Sequence, residues 1–464
     1  MATSFYSLAD ILSVAQVHPF YSDTQYPPTR EWLAHILQAA QANPKPGRDL
    51  KSFPLTSKHT LYQHISRLTV DKDPRNGYRQ GTFVSTTGGG SGGKPMVFAT
   101  DALENRQQRA AIGDILRDCG LIEPGDWVLT LHVSGHLYRA LDLMTELFEN
   151  AGAAVLCAGP EMAHSAVVEA IMQYRANAVA GDVSQLLQLA KYVTTLDAVQ
   201  KKALILTKLF YTSESITSSQ RGFLISAFGE LTICSVIGSA EAGAWGVSSS
   251  ALTGIPKGDY TDFIVDERTI HLEVLPMSVA EDEAISCSTT CVQHVPPGQP
   301  GLLVQTSLQR LRNPLVRYVC GDIASLHPLP PTLLATLPSQ HTEHYQIVRV
   351  YGRDQRTSFT WYGEYFEFGA IETFMRAEQW DILLWQIILQ HAPEGADIVL
   401  EVRIFRDPES RVSQEDLAAK IREFFWVFDF NAELFRLEFL GDTRGFRRSR
   451  TGRKVMQFVD LTVG

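Results

Sequence analysis

The chain has 464 residues, 45% of them apolar and 20% charged, with a net charge of −10. At roughly 150 residues per domain this length allows two or three domains with a sizeable core, and the acidic balance argues against a protein that coats nucleic acid or anionic membrane. Six cysteines at irregular positions (119, 157, 234, 287, 291 and 320) make no disulfide framework and point to a reducing compartment. The N-terminal MATSFYSLADILSVAQVHPF lacks the basic leader and small-residue cleavage site of a secretory signal. No apolar stretch reaches the roughly 20 residues that cross a bilayer, so a soluble, cytoplasmic protein is expected.

Residues 1–80 read as helical and irregular: TREWLAHILQAAQ carries Trp32, Leu33, Ile36 and Leu37 at helical spacing between proline clusters. From 102 to 240, helix-like segments (LENRQQRAAIGDILRDCG, LDLMTELFENAG, AVVEAIMQYR) alternate with strand-like ones (WVLTLHV, AAVLCAG, ANAVAG, KALILTKLF). Such alternation predicts parallel strands with crossover helices. The segment 260–350 is rich in short β-runs and is expected to form a β-subdomain. Beyond Arg353, IETFMRAEQWDILLWQIILQ reads as a helix, IVLEVRIF as a strand, QEDLAAKIREFFWVF as a helix and LFRLEFLG as a strand. The expected fold class is therefore α/β: a large N-terminal domain, 1–352, with mixed and parallel sheets, helices and the β-subdomain, followed by a small mobile α+β domain, 353–464.

Chemistry enters at the turn Ser85, Thr86, Thr87, Gly88, Gly89, Gly90, Ser91, Gly92, Gly93, Lys94, Pro95. Clustered glycines let successive backbone N–H groups face one anion, with hydroxyls and one lysine as further donors, which suits a phosphate grip. The Walker spacing fails because Pro95 stands where that loop needs a hydroxyl for magnesium. Gly88, Gly90 and Gly93 match GxGxxG, but no convincing strand directly precedes them and no acidic residue follows at the distance a dinucleotide site needs. A plain glycine-rich surface loop is the alternative. Cys287, Cys291 and His294 (C-x3-C-x2-H) offer three of four zinc ligands at loose spacing, against the simpler reading of two inert thiols and a loop histidine.

The turn resembles the phosphate loop of the adenylate-forming enzymes, with Gly92 in place of one hydroxyl, and further motifs follow in that family's order. VIGSAEAGAWG resembles its Tyr-Gly-x-Thr-Glu, with Ile237 for the aromatic and Ala240 for the threonine. RYVCGDI resembles Tyr-x-Thr-Gly-Asp; VYGRDQRTSFTWYGEYFEFGAIE resembles the Gly-Arg-x-Asp hinge segment, with Gln355 at the pivot; and RRSRTGRKVMQFVD resembles the C-terminal Gly-Lys segment. The resemblance spans about residues 80–460, and within the superfamily it is to phenylacetate-CoA ligases and their aryl-CoA relatives.

What the resemblance implies is ATP-dependent activation of a carboxylic acid, expected to be aromatic, as acyl-AMP, then transfer to CoA, with ATP, Mg²⁺ and CoA as the small molecules bound. It gives Glu241 the Mg²⁺ carboxylate, Gly238, Ser239 and Ala240 places beside the nucleotide, Asp322 the ribose hydroxyls and Arg353 ribose or phosphate. Glu214, in TSES, becomes a nucleotide-pocket residue, and the turn from Ser85 to Lys94 grips the outgoing phosphates. Lys454, or Arg453 if the register slips by one, would bridge carboxylate and phosphate. Gly363 would face the thioester-forming pocket. The acyl pocket is expected near His132, His136, Tyr138, Ile237, Gly238, Ala242 and Gly243. The small domain is expected to close for adenylation and then rotate about Gly352 to Gln355. Transfer to an amine or a carrier-protein thiol, and a non-catalytic ligand-binding relative, are the open alternatives; neither nucleic acid nor membrane is an expected partner, and a homodimer is left open.

Overall fold

The structure, a computed structural model, describes residues 5–42, 49–86, 97–135, 137–212, 216, 218–255, 260–280, 293–338, 341–353, 358–375, 377–393, 397–406, 410, 412–441, 445–447 and 456–462. The chain divides into two compact units, a larger one of Met1–Thr87 with Met96–Asp354 and a smaller one that holds Gln355–Gly464.

In the larger unit, helices α1 (Leu8–Ala15), α2 (Arg30–Ala42) and α3 (Lys58–Val70) precede a hairpin of β1 (Thr82–Thr86) and β2 (Val97–Asp101). Asp101, the last residue of β2, caps α4 (Ala102–Asp118) by accepting the Leu103 and Glu104 N–H groups, so the hairpin and the helix share one joint. Then come β3 (Trp127–Thr130), the two-residue strands β4 (Ser134–Gly135) and β5 (Tyr138–Arg139), and α5 (Ala140–Ala151). Next follow β6 (Ala154–Cys157), α6 (His164–Tyr174), β7 (Ala178–Asp182), α7 (Val183–Thr194), α8 (Ala198–Ala203), β8 (Lys208–Thr212), α9 (Ser218–Phe228) and β9 (Thr232–Ser239). The strand expected in KALILTKLF thus begins only at Lys208, its first residues finishing α8.

Strands β10 (Gly243–Ser249), β11 (Thr261–Asp266), β12 (Ile270–Leu275), β13 (Gly301–Ser307), β14 (Tyr318–His327) and β15 (Tyr345–Arg353) complete this unit. One 11-stranded sheet runs β12-β13-β14-β15-β11-β10-β9-β8-β7-β3-β6. Its half from β9 to β6 is parallel and the rest antiparallel, so the β-rich segment 260–350 is continuous with the parallel strands rather than a separate sheet.

Alternate residues of the parallel strands feed opposite cores. Val128, Ala180 and Phe210 face α4 and α5 through Ile112, Leu116, Leu147 and Phe148. Leu129, Val179 and Leu209 face α6, α7 and α9 through Val167, Leu186 and Leu224. Helices on both faces leave the strands no solvent side, hence their nearly continuous apolar runs.

The smaller unit pairs β16 (Ser358–Trp361) with β17 (Glu364–Glu367) and builds a sheet β20-β19-β18-β21 from β18 (Ile382–His391), β19 (Ile398–Arg406), β20 (Phe435–Phe439) and β21 (Phe458–Asp460). The expected helix over IETFMRAEQWDILLWQIILQ is corrected: helix stops at Met375, and ILLWQIILQH is a strand. The reason is its central place between β19 and β21, where Trp385, Ile387 and Leu389 enter an aromatic core while Gln386 and Ile388 are also buried. A strand buried on both faces loses the period-2 signal and imitates a buried helix.

Candidate active site

The motif VIGSAEAGAWG forms a tight hairpin between β9 and β10, with Ser239 opposite Gly243 and Gly238 opposite Ala244. Two glycines make that closure feasible. A Cβ on Gly238 would stand 2.8 Å from Ala244 Cα, and one on Gly243, where φ is +76°, would stand 2.2 Å from Gln108 Oε1. Ser239 Oγ accepts the Ala242 N–H at 2.9 Å and Gln108 of α4 donates to the Ala242 carbonyl at 2.6 Å, so the turn is clasped from within and from below. At its tip Glu241 is buried and accepts a 2.6 Å hydrogen bond from the Tyr62 hydroxyl of α3. Ala242 is buried, and Ile237 packs against the core that holds Phe98 and Trp245.

The loop between β13 and β14 is laid across both this turn and the glycine-loop hairpin. Arg310 Nη2 points to the Ala240 carbonyl at 3.4 Å while its guanidinium lies over the Phe98 ring of β2, 4.9 Å from the centroid. Arg312 Nη1 pairs with Asp101 Oδ2 at 3.1 Å, and Asn313 Nδ2 donates to the Ala99 carbonyl at 2.9 Å. Arg30 adds a second guanidinium to Asp101, whose carboxyl lies below its ordinary range because these donors and the helix cap outweigh its burial. Glu104 is pushed up to about 7 by burial, reinforced by the neighbouring Asp101 charge. Burial also draws Arg310 down to about 10, with Glu241 and Glu104 pulling the other way, so it stays charged at neutral pH.

Asp322 lies on β14 directly across from Arg353 of β15, beside a β-bulge, so the ladder register brings together the two residues expected at the ribose. The side chain of Arg353 is not described, and the pairing is one of backbone register.

No protein-family model matches the sequence, and neither does any curated protein. Solved structures do match in fold. A 2-hydroxyisobutyryl-CoA ligase in complex with 2-HIB-AMP and CoA, in its thioesterification state, superposes with a TM-score of 0.65 at 19% identity over 97% of this chain and 88% of that one. The chain has the fold of the adenylate-forming enzymes. The same ligase in its postadenylation state gives a TM-score of 0.54 at 18% identity over 97% and 88% of the two chains. The amide bond synthetase McbA from Marinactinospora thermotolerans gives 0.52 at 14% identity, covering 82% of this chain and 68% of that one.

Within this fold the remaining expected residues divide. Ser85 is on β1, at the foot of the glycine loop, and Thr86 is the last residue of that strand. A strand therefore does precede the loop, contrary to the expectation, but β2 follows it where a dinucleotide fingerprint needs a helix. Thr87, Gly88, Gly90, Ser91, Gly93, Lys94, His136, Glu214 and Lys454 lie outside the described residues, as do Cys287, Cys291 and Gln355. His294 is described, and its Nε2 sits 3.0 Å from Glu273, itself paired with Arg317. No group of three or more metal-ligating side chains occurs among the described residues, and no helix among them is long and apolar enough to cross a membrane.

His132 follows β3, where the chain leaves for β6 on one side while β7 lies on the other, the switch point of the parallel strands. It is buried, with Nδ1 2.8 Å from Thr130 Oγ1 and Nε2 2.9 Å from Thr212 Oγ1, and burial lowers it to about 4. Both ring nitrogens are thus engaged by threonines, so His132 clasps β3 to β8. Tyr138 pairs with Gly135 in the short β4–β5 ladder and is 37% exposed.

Sequence reasoning missed Tyr62, Gln108 and Arg310. The one readable signal was LQRLRNP, which places two arginines between apolar strands; Tyr62 and Gln108 sit on ordinary amphipathic helices and reach the turn only through the fold.

Proposed function

We propose that the protein activates a carboxylic acid with ATP and transfers the acyl group to CoA. The observation that carries this reading is the convergence on Arg310 of the glycine-loop hairpin, through Phe98, and the Glu241 turn, through Ala240. The strand that follows the glycine loop and the Glu241 turn, about 140 residues apart in sequence, thus both lie against one arginine. The adenylate-forming fold, and the cross-strand pairing of Asp322 with Arg353, support the same reading.

A carboxylate is a poor acyl donor because oxide is its leaving group. In the proposed reaction a carboxylate oxygen attacks the α-phosphorus of ATP and the bond to pyrophosphate breaks. The thiol sulfur of CoA then attacks the acyl carbon, loses its proton, and AMP departs. The protein's task is positioning and charge neutralisation. Asp322 accepts from the ribose hydroxyls, the glycine loop and Lys94 hold the departing phosphates, and Lys454 stabilises the reacting carboxylate and phosphate. The buried Glu241 carboxylate fits Mg²⁺, which binds through one or two carboxylates plus substrate phosphates rather than an all-protein cage. Bound there, the ion would supply positive charge to the phosphates.

The expected acid is aromatic, in line with the resemblance to phenylacetate-CoA ligases. The fold likeness to an amide bond synthetase keeps an amine as the second acceptor. The test is carboxylate-dependent exchange of labelled pyrophosphate into ATP across a panel of aryl and aliphatic acids. Exchange with at least one acid is expected, and none across the panel overturns the proposal. AMP release with CoA, with amines and with a carrier protein then names the acceptor.

A further inference from the structure

We infer that Arg310 is an anion-binding residue of this site and holds a phosphate oxygen of the nucleotide next to Glu241. This rests on the adenylation reading above and names a residue that none of the recognised motifs contains.

Four arginines of the larger unit, Arg109, Arg310, Arg312 and Arg317, are buried to within 3% exposure. Three of them are ion-paired: Arg109 with Asp142 and Glu146, Arg312 with Asp101, and Arg317 with Glu273. Arg310 makes no ion pair among the described residues. Its Nε and Nη1 are buried without a hydrogen-bond partner there, and its Nη2 has only the 3.4 Å approach to the Ala240 carbonyl. Glu241 and Glu104 are near enough to act on its charge without either closing a salt bridge on it. A guanidinium cannot shed its charge to escape this position, and a buried cation with unsatisfied donors is destabilising unless something completes its shell.

Two features fix what that partner is. The guanidinium presents Nε–H and Nη1–H along two of its edges, two charge-assisted donors of the kind that take phosphate oxygens. The guanidinium also lies between Phe98, at the foot of the glycine loop, and the carbonyl that precedes Glu241. A phosphate facing Glu241 would lie beside these donors. Arg310 then supplies a protein charge beside Glu241.

The experiment is calorimetric binding of AMP and of adenosine, which differ only by the phosphate, to the full chain and to its Arg310→Lys and Arg310→Met variants. In wild type AMP binds more tightly than adenosine. In Arg310→Met that preference falls roughly tenfold or more while adenosine affinity holds, because only the phosphate contact is lost. Arg310→Lys keeps the charge without the guanidinium donors and gives an intermediate ratio. A purely structural arginine would lower both affinities together and leave the ratio unchanged, which overturns the inference while sparing the adenylation reading. Wild type binding neither ligand overturns both. Should Arg310→Met fail to fold, the lysine variant and the wild-type Arg310 Nε ¹⁵N resonance decide: the resonance moves with AMP and stays put with adenosine, and movement with both or neither overturns the inference.

Discussion

His132 and Glu241 both stand just beyond the carboxyl ends of parallel strands, both are buried, and both were expected to touch ligand. Their surroundings differ in kind. Around His132 the polar groups close on one another, with a threonine hydroxyl on each ring nitrogen. Around Glu241 they do not, because the neighbouring Arg310 keeps two buried donors without a partner among the described residues. A closed polar network rigidifies a fold, whereas donors left open at a site are where a ligand completes the shell. Burial and residue type alone do not separate these cases; the hydrogen-bond inventory does.

Substitutions can sharpen or break that contrast. Glu241→Gln keeps an acceptor for Tyr62 and the shape of the turn but removes the charge; pyrophosphate exchange should fall about a hundredfold or more with the melting temperature held. A variant with near-normal exchange would put Glu241 on the same footing as His132. Asp322→Ala should raise the KM for ATP by roughly tenfold to a hundredfold, the value of a hydrogen bond to a charged group, with little change in stability. An unaltered KM would remove the Asp322–Arg353 register pair from the nucleotide site.

Gly243→Ala tests the turn rather than its chemistry. The added Cβ would meet Gln108 at a position with φ of +76°, and a loss of about 2 kcal/mol in denaturant unfolding is expected. His132→Leu leaves two threonine hydroxyls without the ring and should cost about 1–2 kcal/mol with AMP affinity unchanged. The histidine also carries a pH signature. Its folded-state value lies near 4 and its ordinary value is 6.5, so between these the unfolded chain binds the extra proton. Wild-type stability should therefore fall as pH drops from about 6.5 towards 4, and the slope should be shallower in His132→Leu. Equal slopes would mean that the imidazole is not held neutral.

The parallel strands and their helices were legible because alternating apolar segments of strand and helix length leave few other arrangements; α4, α5 and α6 coincide closely with the segments read from sequence. The ILLWQIILQH strand was not legible, since a doubly buried strand carries no periodicity. For the candidate site, motif order in the sequence proposes Glu241 and Asp322. Arg310 could not, because its significance lies in what it fails to pair with, a property of three dimensions. Gly243 likewise looks like any turn glycine until the Gln108 side chain appears beneath it.

The most direct measurement is a crystal structure with AMP bound. The account predicts the phosphate within hydrogen-bond distance of the Arg310 guanidinium, beside the Glu241 turn, with the ribose hydroxyls on the Asp322 carboxylate. AMP bound away from the Arg310 guanidinium, or Glu241 and Asp322 facing separate cavities, would contradict it.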